Sequence, residues 1–198
     1  MKKICICGGG SLGHVIAGYL SANGKATVSI LTNHPTAWQN KIEICVPDNG
    51  EMLIGNIACV SANPAEALLD AEIVLLCLPG FLIKDELIKI RDFINSGTYV
   101  GSVFSSTGFF FEALKLLNED IPLWGFQRVP FISRIKEYGH SASLLGYKGC
   151  YHIAVERDTD ANKELFRYWV ENSFDRPVTL LKNCLLYTSP SPRDLSTS

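Results

Sequence analysis

The chain has 198 residues, 47% of them hydrophobic and 19% charged, and a formal net charge of −2. That composition is globular rather than disordered, with enough chain for one core-bearing domain. No basic surplus points to nucleic acid or an anionic membrane as partner, and no apolar run reaches the roughly 18 residues needed to span a bilayer.

Met1-Lys2-Lys3 precedes apolar residues as in a signal peptide, but Gly8-Gly9-Gly10 breaks the run too early for one. Lys3 to Cys7 reads instead as a strand buried on both faces. Ser11 to Asn23 follows as a helix, with Leu12, Val15, Ile16, Tyr19 and Leu20 at helical spacing and Gly24 closing it. Ala26 to Leu31 is the next strand. Lys41 to Ile44 and Glu51 to Ile54 flank the turn residues Pro47-Asp48-Asn49-Gly50, which predicts a hairpin at the sheet edge. Ala58 to Ser61 reads as a separate short strand, and Asn63-Pro64-Ala65-Glu66 as a helix start. Glu72 to Leu78 is the most apolar strand, stopped by Pro79-Gly80. A helix over Phe81 to Ile94, a strand over Thr98 to Val103 and a helix over Gly108 to Asn118 complete the alternation. Leu123 to Phe126, Ser141 to Leu145 and Tyr151 to Val155 read as strands, and Thr159 to Glu171 as a helix.

Strands alternating with helices imply an α/β fold with a mainly parallel, doubly wound sheet, extended by additional strands towards the C-terminal end. No linker is visible before residue 183, so 1–183 is expected to be one domain. Residues 184–198 resemble the translation of a sequencing-library adapter and are expected to be non-native. On that reading the authentic sequence breaks off near Asn183. Of the seven cysteines, Cys5, Cys7, Cys59 and Cys77 lie in strand-like runs and none forms a CxxC pair. They read as reduced core residues of a cytoplasmic protein, with no metal expected.

The chemistry sits in Gly8-Gly9-Gly10-Ser11-Leu12-Gly13, a GxGxxG that leaves a buried strand and opens a helix. Gly8 permits the tight turn, Gly10 lets a pyrophosphate approach the backbone, and Gly13 lets the helix pack close to the sheet. Bare amides and the helix dipole then attract the phosphates. This is the pattern of a Rossmann-type NAD or NADP site. No carboxylate follows the second strand. Thr32, Asn33 and His34 stand there instead, which leans towards NADP. Leu78 and Pro79, at another strand end, are expected to wall the cofactor. Ser105-Ser106-Thr107-Gly108 either caps a helix or faces substrate, so Ser106 and Thr107 are substrate candidates, with Arg128 as a clamp for a carboxylate. His14, His140 and His152 read as structural or exposed, the last two without an acidic partner at motif spacing. Trp124, Phe126 and Phe131 read as core or interface residues.

Lys3 to Gly13, Cys77-Leu78-Pro79-Gly80 and Gly125-Phe126-Gln127-Arg128-Val129-Pro130-Phe131 together resemble the NAD/NADP octopine/nopaline (opine) dehydrogenase family, over roughly 1–183. The resemblance implies a small-molecule enzyme that reductively joins an amino acid to a 2-oxo acid. It also implies a second, helical domain carrying a catalytic histidine and aspartate, so no catalytic residue is assigned here and this stretch alone is expected not to turn over. The glycine motif is shared with ketopantoate reductases and glycerol-3-phosphate dehydrogenases, and a non-catalytic NAD(P)-binding module also stays open.

Overall fold

The computed structural model describes residues 1–105 and 108–182; Ser106, Thr107, Asn183 and the tail 184–198 lie outside the described residues. In chain order the elements are β1 (Lys2–Cys7), α1 (Ser11–Ala22), β2 (Ala26–Leu31), β3 (Lys41–Val46), β4 (Glu51–Ser61), α2 (Pro64–Ala67), β5 (Ile73–Leu76), α3 (Gly80–Ile90), β6 (Tyr99–Ser102), α4 (Phe109–Leu116), β7 (Leu123–Phe126), β8 (Phe131–Glu137), β9 (Ser141–Tyr147), β10 (Tyr151–Glu156), α5 (Asp160–Phe174) and β11 (Val178–Leu180).

The strands run in the order β11-β10-β7-β6-β5-β1-β2-β4-β3-β9-β8. The centre, from β7 to β4, is parallel throughout. Alternation along the central strands divides the interior in two. Ile4 and Ile6 of β1, with Ile73 and Leu75 of β5, join the core built with α1 and α5. Cys5, Cys7, Val74 and Leu76 point the other way, into the core built with α2, α3 and α4. Side chains one residue apart face opposite sides of a strand, so strands covered on both faces must be apolar at every position. Each fully buried Ile or Leu contributes about 1.5–3 kcal/mol of burial free energy.

β1 pairs with β2 on one side and β5 on the other, so the order of the sheet reverses direction at β1. A crevice opens at such a switch point, beyond the carboxyl ends of the strands. Here it falls between Gly8 and Leu78, next to the bond from the Cys77 N–H to the Cys7 carbonyl at 2.8 Å.

The far half of the sheet departs from the sequence reading. The hairpin β3–β4 forms, but not at an edge, because the outer side of β3 pairs in parallel with β9. The two segments read as separate strands are one: β4 pairs with β3 through Glu51 to Asn56 and with β2 through Ile57 to Ser61. β8 and β11 were not expected. The extension β4-β3-β9-β8 wraps α1, which lies between it and the central strands. Small residues make this possible: a Cβ on Gly55 would stand 2.7 Å from the Gly18 carbonyl oxygen. Among the described residues no helix is long and apolar enough to cross a membrane. Trp124, Phe126 and Phe131 are buried, and the first two join Phe166, Tyr151 and Phe174 in a chain of edge-to-face contacts 5.0–6.1 Å apart.

Candidate functional site

β1 delivers the chain to Gly8, whose φ of +115° only glycine adopts readily, and whose N–H donates to the Leu31 carbonyl at 3.0 Å. This turn sends the backbone straight into α1. A Cβ on Gly13 would collide with the Gly8 carbonyl, so the helix can approach the strand only with glycine there. Gly10 differs from both. It is exposed, and the nearest heavy atom to an added Cβ is the Cys77 carbonyl oxygen at 4.0 Å. Packing does not demand glycine at 10; open space above the backbone is what its missing side chain leaves.

Gly10 is the N-cap of α1, and no side chain caps the helix. The first turn carries no acidic residue. The leading amides of Ser11 and Leu12 therefore project positive partial charge into the crevice, as an anion site requires.

Two cavities flank this loop. A narrow one of about 170 Å³ is lined by Gly8, Gly9, Leu31, Thr32, Asn33, His34, Leu78, Glu86, Lys89 and Tyr138. A wider cleft of about 510 Å³ runs from Gly10, Ser11 and Leu12 past Leu78, Pro79 and Phe104 to Arg134. The structure thus places nine of the ten expected cofactor residues on cavity walls, and the tenth, Gly13, packs against the Gly8 carbonyl. Thr32 lines its cavity, but it is buried and its hydroxyl already accepts the His34 N–H and meets the Tyr138 hydroxyl, both at 3.4 Å.

The substrate candidates are placed less directly. Ser106 and Thr107 lie outside the described residues. Their neighbour Ser105 is buried and donates to the Phe126 carbonyl at 2.7 Å, a structural bond. Arg128 is exposed and is not among the residues lining the wide cleft, whereas Arg134 on β8 is. Arg134 forms no ion pair among the described residues. Nothing in the local sequence distinguishes these two arginines. The cleft position of Arg134 follows from β8 packing over α1, a contact no local pattern encodes.

His14 is fully buried and holds the loop in place. Its Nε2 accepts the Gly139 N–H at 2.7 Å, so Nδ1 carries the proton and donates to the Gly10 carbonyl at 3.0 Å. This ties the glycine loop to the turn between β8 and β9. The same turn lays Tyr138 on the loop, where a Cβ on Gly9 would strike its hydroxyl. Tyr138 had no motif to reveal it. His140 does have acidic neighbours, contrary to the sequence reading: Glu137 at 3.1 Å and Glu43 at 3.9 Å. Neither it nor exposed His152 lines the wide cleft.

Burial holds the pKa of His14 below its ordinary value, with the Gly10 carbonyl pulling the other way. A proton on Nε2 would face the Gly139 donor. In the unfolded chain the ring takes a proton near pH 6.5, while the folded chain resists it. Stability from this group is therefore complete above about pH 7 and falls as pH drops below about 6.5 towards the lowered folded value. Urea midpoints between pH 7.5 and 5.5 should show this slope, and His14→Gln should flatten it.

No family model matches the chain. It is 26% identical over 207 residues to tauropine dehydrogenase of Arabella iricolor, a match covering 98% of this chain and 49% of the relative. It is also 26% identical over 201 residues to the uncharacterised protein y4xO of Sinorhizobium fredii, covering 94% and 52%. Octopine dehydrogenase solved with NADH and agmatine superposes with a TM-score of 0.81 at 19% identity, over 94% of this chain and 50% of that one. For yersinopine dehydrogenase with NADP+ bound the TM-score is 0.67 at 15% identity, over 92% and 48%. For 2-dehydropantoate 2-reductase of Porphyromonas gingivalis it is 0.71 at 15% identity, over 94% and 66%. The chain spans about half the length of the curated relatives it matches. Its fold is Rossmann-type, and along nearly its whole length it is similar to the N-terminal half of the opine dehydrogenases.

Proposed function

We propose that the chain is the NAD(P)-binding part of an oxidoreductase of the opine dehydrogenase type, acting on an amino acid and a 2-oxo acid. The observation that carries this reading is the start of α1: uncapped amides, no carboxylate in the first turn, and clear space above Gly10, all at the switch point of the sheet. Gly9, Gly10, Ser11 and Leu12 would hold the pyrophosphate. Asn33 and His34 would face the adenosine end in the narrow cavity. Leu78, Pro79 and Phe104 would wall the nicotinamide end in the wide cleft.

When bound, the reduced nicotinamide supplies the hydride that turns the imine of the two substrates into a secondary amine. Arg134, at the rim of that cleft and without an ionic partner among the described residues, is suited to hold a substrate carboxylate through its planar fork. Leu78, Val103, Phe104 and Phe131 give the reacting end an apolar wall. Among the described residues no histidine lines this cleft, and this reading assigns the proton for the leaving hydroxyl and the new amine to a group outside them.

Two measurements on the 198-residue chain test the reading. Calorimetric titration with NADPH and NADH is expected to give saturable binding of at least one. With pyruvate and a set of amino acids, nicotinamide oxidation is expected to stay at the background rate. Flat titrations would overturn the cofactor reading, and turnover would overturn the account of where the acid–base group lies.

A further inference from the structure

We propose that Lys89 discriminates between the two pyridine dinucleotides by holding the 2′-phosphate of NADPH at the end of β2. The inference rests on the dinucleotide reading above and supplies what that reading lacks, a cation. Around Asn33 the local sequence offers neutral donors only. A phosphate loses hydration on entering a pocket, and charge-assisted hydrogen bonds offset that loss far better than neutral ones.

The fold brings the charge from elsewhere. α3 sets out just beyond the carboxyl end of β5, and Lys89 Nζ donates to Asn33 Oδ1 at 3.4 Å. That bond is long, and Lys89 forms no ion pair among the described residues. An ammonium has three donors, so two remain after Asn33. The half-buried Lys89 side chain lines the same 170 Å³ cavity as Thr32, Asn33 and His34. No carboxylate follows β2 in the sequence to repel a second phosphate from that side.

Glu86 is the counter-argument. It stands one turn earlier on α3 and lines the same cavity, and an acid so placed could instead accept the ribose diol of NADH. Its position argues otherwise. Glu86 is felt by the thiol of Cys7, at the end of β1; burial raises its pKa, and the charge of Lys89 pulls it back down. Lys89 reaches Asn33, past the end of β2. Lys89 therefore stands on the β2 side of the cavity, where the ribose of a dinucleotide is held in Rossmann-type folds, with Glu86 one turn earlier on α3 within reach of its charge.

The test is calorimetry on the full chain with NADPH, NADH, adenosine 2′,5′-bisphosphate and adenosine 5′-monophosphate, for the parent, Lys89→Met, Lys89→Arg and Glu86→Gln. The parent is expected to favour NADPH by about tenfold or more. Lys89→Met is expected to weaken NADPH and the bisphosphate by a similar factor while NADH and the monophosphate stay within about twofold, and Lys89→Arg to keep the preference. Equal affinity of the parent for both dinucleotides would overturn the proposal. So would equal losses in Lys89→Met, or a Glu86→Gln variant that loses NADH while Lys89→Met loses nothing. In those cases the dinucleotide reading survives; only a parent that binds none of the four ligands removes both.

Discussion

Gly10→Val is expected to weaken dinucleotide binding by about a hundredfold, close to 3 kcal/mol, while leaving the fold within about 1 kcal/mol of the parent. The two halves of this expectation have separate causes. The backbone at Gly10 has φ −79° and ψ 178°, extended geometry that any residue adopts, so valine introduces no strain. Its Cβ also has room, since nothing stands closer than 4.0 Å. What the isopropyl group fills is the space above the helix amides, where the pyrophosphate must come within hydrogen-bond distance. Gly13→Val is the contrasting control. There the added carbons meet the Gly8 carbonyl, so that variant should lose stability first and binding as a consequence. Urea denaturation alongside calorimetry separates the cases. A Gly10→Val protein that binds like the parent would mean the ligand lies elsewhere.

The second large effect is on stability. His14→Leu is expected to cost about 3 kcal/mol, a substantial part of the margin of about 5–15 kcal/mol on which a domain of this size depends. Leucine keeps much of the volume but leaves the Gly139 N–H buried without its acceptor and removes one donor from the Gly10 carbonyl. It also loses the ring contacts to Trp38 at 4.1 Å and Tyr138 at 5.2 Å. Because the turn carrying Tyr138 is held by this bond, the aromatic near-ultraviolet circular dichroism should change with the loss of stability. A cost under about 0.5 kcal/mol would show that His14 does not anchor the turn.

The parts of the site that were legible in the sequence share one property: they are local. Gly8 to Gly13 declares a strand, a turn and a helix start within six consecutive residues: Gly8 by its positive φ, Gly13 by its contact with the Gly8 carbonyl and Gly10 by open space, while the neighbour over Gly9 is Tyr138 from a distant turn. The apolar runs of β1 and β5 likewise announced a sheet covered on both faces. What could not be read depends on contacts between distant segments. Gly139 reaches His14 across 125 residues, and Lys89 reaches Asn33 across 56. No spacing rule encodes either, because both depend on how β8, β9 and α3 pack once the sheet exists.

The hairpin shows the same limit on a smaller scale. Pro47-Asp48-Asn49-Gly50 specified its turn correctly, but nothing in β3 itself says that β9 will pair on its outer side. The continuity of β4 was hidden for a related reason. Gly55 interrupts the pattern that marks a strand, and its purpose is the close approach to Gly18 of α1. Arg134 lines the wide cleft and Arg128 does not, a difference that nothing in the local sequence of either guanidinium announces.

Nitrogen-15 chemical-shift mapping with NADP+ puts the whole interpretation at risk in one titration. The largest perturbations are expected at the amides of Gly9, Gly10, Ser11 and Leu12, with a second group at Asn33, His34 and Lys89. A spectrum that does not respond, or one whose changes gather away from the mouth of the first βα turn, would contradict it.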